Sequence, residues 1–324
     1  MATARTWRTH QQADGPRPAD MEDIAGLNQV FSDAFSERYR RDGMVGVRVP
    51  FLNPAIWRYA IEDADGGALV WRDERDEIVA FNIAHRSGVE GWMGPLAVRP
   101  DWQGVGLGKE IVRGGVDWLR QARAATIGLE TMPRTMDNIG FYSALGFVPG
   151  RLTITLTLEA GLLGDGPSLL GRLTPSDKDD AIEECRGLTD RLAPGFDFTR
   201  EIALTDQLAL GDTVLLRDRG QLIGFALCHT APLVEGRVRE EMRVLKLALE
   251  REEELPRLAN VLMDYARRSG TRRVALRVQT EFLGAYRRLI ELGARVRWTD
   301  LRMTLADKPE RPPQTGVVWS NWEI

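Results

Sequence analysis

The sequence predicts an α/β chain, α+β in layout, built as two similar domains in tandem. Three observations carry this. The 324 residues are about twice the length of a common domain. In the first half, three strand-like runs lead into a glycine-opened helix and then a strand, a helix and a strand. The second half repeats the letters: LVWRDERDEIVAFNIAH (Leu69–His85) is echoed by VLLRDRGQLIGFALCH (Val214–His229), MGPLAV (Met93–Val98) by RVLKLAL (Arg243–Leu249), and ALGF (Ala144–Phe147) by ELGA (Glu291–Ala294). A long period with only two copies means paired globular domains, not a solenoid.

Each element has a local reason. Residues 1–11 are polar and expected to fray, and Pro16 and Pro18 favour an extended start. Asp20 is an N-cap, with Glu22 and Asp23 in the first turn. Ile24, Leu27, Val30, Phe31 and Phe35 then recur at helical spacing. Residues 37–53 read as a loop and Pro54–Ile61 as a short helix. Ala68–Arg72, Ile78–His85 and Trp92–Val98 read as an antiparallel meander. A helix over Gly104–Gln121, a strand over Ala125–Thr131, a helix over Asn138–Leu145 and a strand over Phe147–Leu158 follow. Gly161, Gly164, Gly166, Pro167 and Gly171 mark a linker. The expected domains are 12–160 and 172–324, joined by 161–171.

Composition narrows the function. Hydrophobic residues at 43% and charged residues at 28% exclude a wholly disordered chain. A net charge of −4 gives no global pull towards nucleic acid or an anionic membrane, so neither is expected as a partner. Cys185 and Cys228 fit no CxxC spacing and His10, His85 and His229 are scattered, so no metal site is expected and the thiols read as buried in a reducing cytosol. No run approaches the ~18 apolar residues of a membrane span, and MATARTWRTHQQADGPRPAD lacks a signal peptide's apolar core. A soluble, cytoplasmic protein is expected.

The informative segment is PLAVRPDWQGVGLGKEIVRGGVDWL, residues 95–119. A helix opened by Gln103-Gly104-Val105-Gly106-Leu107-Gly108 offers free amides and the positive end of a helix dipole to an anion. G-x-G-x-x-G fails here, because the third glycine would fall at Lys109 or Ile111. A P-loop fails too, with Gln103 in place of its first glycine and Glu110 in place of its hydroxyl. Q-x-x-G-x-G fits at Gln103, Gly106 and Gly108. Glycines placed for tight helix packing are the plain alternative. Downstream stands NIGFYSALGF, Asn138–Phe147, an Asn-containing helix with an aromatic-Tyr pair and then Leu-Gly-Phe.

With these two signatures the sequence resembles the GNAT superfamily of N-acetyltransferases over about residues 16–158. The resemblance implies two tandem GNAT-like acyl-CoA N-acyltransferase domains, each a mixed, mainly antiparallel sheet flanked by helices. The first sheet would splay open between Trp92–Val98 and Ile127–Thr131. Acetyl-CoA would be the co-substrate, its pantetheine bonded to the backbone of Leu96, Ala97 and Val98 and its pyrophosphate to the amides of Gln103–Gly108, with Arg99 or Lys109 near phosphate. Asn138 would contact pantetheine or its thioester end, and Tyr142 would protonate the leaving thiolate. The acceptor is a small-molecule amine or a protein amine, attacking the thioester directly. The attacking ammonium must first lose a proton, to Glu90, Glu130 or a water chain. The position where some relatives carry a base is Trp92 here. His85 reads as a core or capping residue. The segment 37–61 would line the acceptor side with Arg38, Arg40, Arg41, Asp42, Arg48, Trp57 and Arg58, either as an acidic- or aromatic-acceptor surface or as a solvated face.

Aligned on the first copy, the second loses the site. Glu254, Leu255, Arg257 and Ala259 replace Gln103, Gly104, Gly106 and Gly108, with Glu252 and Glu253 beside them. Like charge and Cβ atoms both oppose a phosphate there. This degenerate copy is expected to pack on the active half, close its acceptor cleft or supply a homodimer surface. The ending GVVWSNWEI reads as a docked strand.

Overall fold

The computed structural model describes residues 12–162, 164, 166–238 and 240–324. The tail 1–11, with His10, lies outside them. The first half runs β1 (Asp14–Pro18), α1 (Ile24–Arg41), α2 (Pro54–Ala64), β2 (Ala68–Arg72), β3 (Ile78–Ser87), β4 (Glu90–Val98), α3 (Leu107–Gln121), β5 (Thr126–Thr131), α4 (Met136–Ser143) and β6 (Phe147–Glu159). The second runs α5 (Pro175–Leu192), α6 (Thr199–Gln207), β7 (Gly211–Asp218), β8 (Gln221–His229), β9 (Glu241–Leu249), α7 (Leu255–Arg268), β10 (Arg273–Gln279), α8 (Leu283–Glu291), β11 (Arg295–Leu305) and β12 (Val317–Ser320).

Local signals set most boundaries. Asp20 accepts from the Glu22 amide and Asp23 reaches back to the Asp20 amide, a capping box in the 3-10 turn that leads into α1. Asn53 caps α2 through the Ala55 amide at 3.0 Å, with Pro54 in the first turn. The expected loop after residue 37 begins later, at Asp42. Glu37 takes Arg40 and Arg41 as i+3 and i+4 partners and Arg38 takes Asp42, which carries α1 a further turn. Part of the expected linker is docked: the Leu215 amide bonds Ser168 O at 2.9 Å and the Gly171 amide bonds Asp212 Oδ1 at 2.9 Å.

All strands join one sheet, ordered β1-β2-β3-β4-β5-β11-β6-β10-β9-β8-β7, with β12 added on β9. The order is nearly symmetric about the β11–β6 pair. It also shows an exchange that the linear domain boundaries do not contain: β11 of the second half pairs with β5 of the first, and β6 of the first pairs with β10 of the second. Repeat and sheet agree in register. Glu90 faces Thr126 across parallel strands as Glu241 faces Arg273, and His85 faces Trp92 as His229 faces Arg243.

One core cluster, with Trp57, Phe81, Trp92, Phe198, Phe225 and Trp322, lies under α1, α2, α5 and α6 and joins the halves. On the opposite face, separate clusters lie under α3–α4 and α7–α8. No described helix is long and apolar enough to cross a membrane.

Candidate active site

The site begins where pairing stops. β4 and β5 run parallel from Glu90↔Thr126 to Met93↔Leu129, and no further. β4 continues to Val98, still paired on its other edge to β3 through Ala80. Its edge towards β5 is therefore open from residue 94 onward, as the splay requires. A backbone edge without a strand is a ready partner for an extended chain with amide groups, which is what pantetheine carries.

A cavity of ≈230 Å³ fills this opening. Leu96, Ala97 and Val98 form one wall and Gln103, Gly108 and Ile111 another, with Met132, Asn138, Phe141 and Tyr142 beyond. α1 adds Ala34, Phe35, Arg38 and Arg41, spaced to share one helical face. Of these, Ile111, Met132 and Ala34 escaped the sequence reading, and Phe35 and Phe141 were read there only as parts of a helical pattern and a signature.

The glycine loop stands at one end. Gly104 and Gly106 adopt φ of +81° and +101°, a region in which an L side chain is strained. Gly106 is the N-cap of α3, so the amides of Leu107 and Gly108 have no helical acceptor. At Gly108 a Cβ would make only ordinary contact with Phe141, at 3.4 Å. Gln103 Nε2 donates to Val98 O at 2.9 Å, tying the loop to the end of β4. Val105 is exposed at the loop tip, whereas Leu107 turns into the core under α3.

Tyr142 is 7% exposed and packs edge-on against Phe141 and Phe147 while lining the cavity. Burial pushes its phenol pKa up, so it carries its proton at neutral pH. Asn138 Nδ2 lies 3.4 Å from Thr131 Oγ1, between α4 and the end of β5.

Neither expected carboxylate is placed as the base. Glu130 accepts from Arg277, from Arg302 Nε at 2.9 Å and from Thr153 Oγ1 at 2.6 Å, so both its oxygens are engaged away from the cavity. Glu90 sits at the far end of β4 beside Ser320 and Arg302, and its burial raises its pKa. No carboxylate lines the cavity. Trp92 stacks on His85 at 4.1 Å, and burial keeps His85 neutral with its Nδ1 2.7 Å from Asp63 Oδ2, the core role expected of it.

The second half differs at the matching place. β9 and β10 also separate, after Arg243↔Ala275, but β12 lies along the freed edge of β9 from Lys246 to Leu249. Glu254 stands at the N-cap position of α7 with its carboxylate turned to Arg251 and Arg257, and Glu252 packs on Gly284 and pairs with Arg288 at 3.4 Å.

With this geometry described, the chain can be set beside known proteins. The acetyltransferase (GNAT) family pattern matches residues 28–147. Over those residues the chain is similar to the GNAT family. An uncharacterized N-acetyltransferase, ycf52, of Pyropia yezoensis is 35% identical over 78 residues, 24% of this chain and 43% of that relative. Its Porphyra purpurea counterpart is 39% identical over 77 residues, 24% of this chain and 42% of its own. The chain thus spans about two-fifths of the length of the curated relatives it matches. Over the whole chain the fold is shared. A putative acetyltransferase from Pyrococcus horikoshii has a TM-score of 0.68 at 17% identity, covering 99% of this chain and 98% of that one. A tandem GNAT protein from the clavulanic acid biosynthesis pathway has a TM-score of 0.55 at 14% identity, covering 90% and 97%. GNAT acetyltransferases as a family move acyl groups from acyl-CoA to amines.

Proposed function

We propose that this chain is an acetyl-CoA-dependent N-acetyltransferase with a single active site, in the first half, and a second half that keeps the fold without the chemistry. One observation carries the reading: the β4–β5 slot opens into a cavity lined by Leu96–Val98, Gly108, Asn138 and Tyr142, while the matching slot of the second half is filled. Pantetheine would pair with the open edge of β4, and pyrophosphate would meet the amides of Gly104–Gly108. The acceptor amine attacks the thioester carbon and the C–S bond breaks. Tyr142 gives its proton to the leaving sulfur. The amine's proton leaves through water, since Glu130 is held by Arg277, Arg302 and Thr153 and Glu90 lies outside the cavity lining. The acceptor is a small-molecule or protein amine that approaches past Arg38 and Arg41.

Calorimetry with acetyl-CoA tests this. One equivalent should bind, and Gly106→Glu should abolish binding. A wild type that binds none, or a variant that binds as well, sinks the assignment. A CoA-release screen against amine pools then identifies the acceptor. The absence of a carboxylate from the cavity lining favours a second reading, a non-catalytic acyl-CoA-binding protein. Tight binding with only slow thioester hydrolysis across the amine pools would establish that reading instead.

A further inference from the structure

We infer that the second half has kept its slot as a strand-binding groove, and that the chain's own Val317–Ser320 is the ligand. The statement about acyl-CoA stoichiometry below rests on the proposed function; the groove itself does not.

The register makes the argument. By the repeat, Leu247, Ala248 and Leu249 stand where Leu96, Ala97 and Val98 stand in the first half. The sheet agrees, because Ala80 faces Val98 as Gly224 faces Leu249. Those three first-half residues line the open cavity. Their counterparts are paired antiparallel with β12, as Trp319↔Leu247, Val318↔Ala248 and Val317↔Leu249. β12 therefore occupies the edge that an acyl-CoA arm would need. An added strand and a pantetheine arm satisfy the same kind of backbone groups, so only one of them fits.

The groove is built for a strand with alternating apolar faces. Trp319 and Val317 join the cluster under α7 and α8, where Trp319 meets Phe282 at 6.3 Å. Val318 joins the cluster shared by the two halves. Gly316 enters at φ +67° against the backbone of Leu249, where a Cβ would clash. Beyond the strand, the Asn321 amide bonds Leu245 O at 2.9 Å, and Lys246 Nζ bonds Ser320 Oγ at 2.8 Å and Asn321 O at 3.3 Å. Alternating anchors, edge pairing and a polar lock are the parts of β-augmentation. The partner class is an extended peptide, and here it is supplied in cis.

The test uses the full chain with a protease site inserted between Pro312 and Pro313, in the exposed connection to β12. After cleavage, a fluorescent peptide of residues 313–324 is titrated in. It should exchange into the groove and raise anisotropy, and unlabelled peptides carrying Val318→Pro or Trp319→Ala should compete at least tenfold more weakly. Failure to exchange, or equal competition by both variants, overturns the groove. Should cleavage unfold the protein, hydrogen exchange on the uncut chain decides: Trp319→Ala should speed exchange at Lys246–Leu249 at least tenfold, and unchanged protection overturns the inference. Calorimetry of the uncut chain supplies the last arm. Two acetyl-CoA equivalents per chain would overturn the groove's occupancy by β12. Zero equivalents would sink the proposed function and leave the peptide result standing.

Discussion

Replacing Gly106 by alanine tests the proposed phosphate-binding role of its loop apart from everything else. The residue holds φ +101°, ψ −15°, and a Cβ built there meets nothing within 4 Å. The substitution thus adds no clash, only the cost of a side chain in a left-handed conformation, about 1–2 kcal/mol. That cost emerges in one of two ways. If the loop holds its shape, stability falls by that amount, a few degrees of melting temperature for a chain this size. If the loop relaxes, the amides of Leu107 and Gly108 turn off the pyrophosphate and the Kd for acetyl-CoA rises roughly 5–30-fold. Calorimetry with acetyl-CoA and with S-acetylpantetheine, which lacks pyrophosphate, separates the cases. Affinity for acetyl-CoA should fall while affinity for the fragment holds, or both should hold with a lower melting temperature. Gly220→Ala is the control: φ +87°, equally open space, in the β7–β8 turn of the other half. It should lose stability without touching acetyl-CoA. Equal losses of affinity for both ligands in Gly106→Ala, or no change in affinity or melting, would refute the loop's role.

Three further outcomes are expected. Tyr142→Phe should lower kcat by about 10²-fold or more with acetyl-CoA affinity within about twofold, as removal of a general acid does; unchanged kcat would reduce Tyr142 to packing. Arg302→Met should cost about 3–5 kcal/mol in urea unfolding, because Arg302 is 2% exposed and its loss leaves Glu130 and Glu310 buried with one ionic partner fewer; a loss under 1 kcal/mol would contradict that account. Glu201, buried beside Asp63 and Lys246 and bonded by Ser87, has its pKa raised to about 7, chiefly by burial. Between its ordinary 4.5 and about 7 the folded chain holds a proton that the unfolded chain has released, so stability falls as pH rises through that window. Asp63, its pKa lowered, opposes this only at more acid pH. Melting curves from pH 5 to 7.5 should show the decline in the wild type and a flatter profile in Glu201→Gln; parallel profiles would assign the slope to other groups.

What could be read from the letters was what is local. β2 was legible residue for residue at Ala68–Arg72, because alternation and charged turns delimit it. Gly108, Asn138 and Tyr142, which line the cavity, stand out in the letters because each signature keeps its parts within about ten residues. The surroundings of the two carboxylates do not. Glu130 looked free on its own strand, and the guanidiniums that hold it come from Arg277 and Arg302 in the other half. The exchange of β6 and β11 was hidden for a related reason: equivalent strands of a repeat have similar apolar patterns, so the pattern cannot say which copy a strand will join. The docked ending was legible from its alternation, but its berth on β9 depended on a register set by the whole sheet.

The exchanged strands also set a timetable. β5 cannot gain its outer neighbour until Leu301–Thr304 exists, some 170 residues further along the chain. A nascent first half therefore emerges from the ribosome with its cleft glycines made, its β5 edge bare and its Glu130 uncompensated. Such an edge invites pairing with other chains. The β5 edge is covered only by a strand of the second half, so the two halves complete one sheet together.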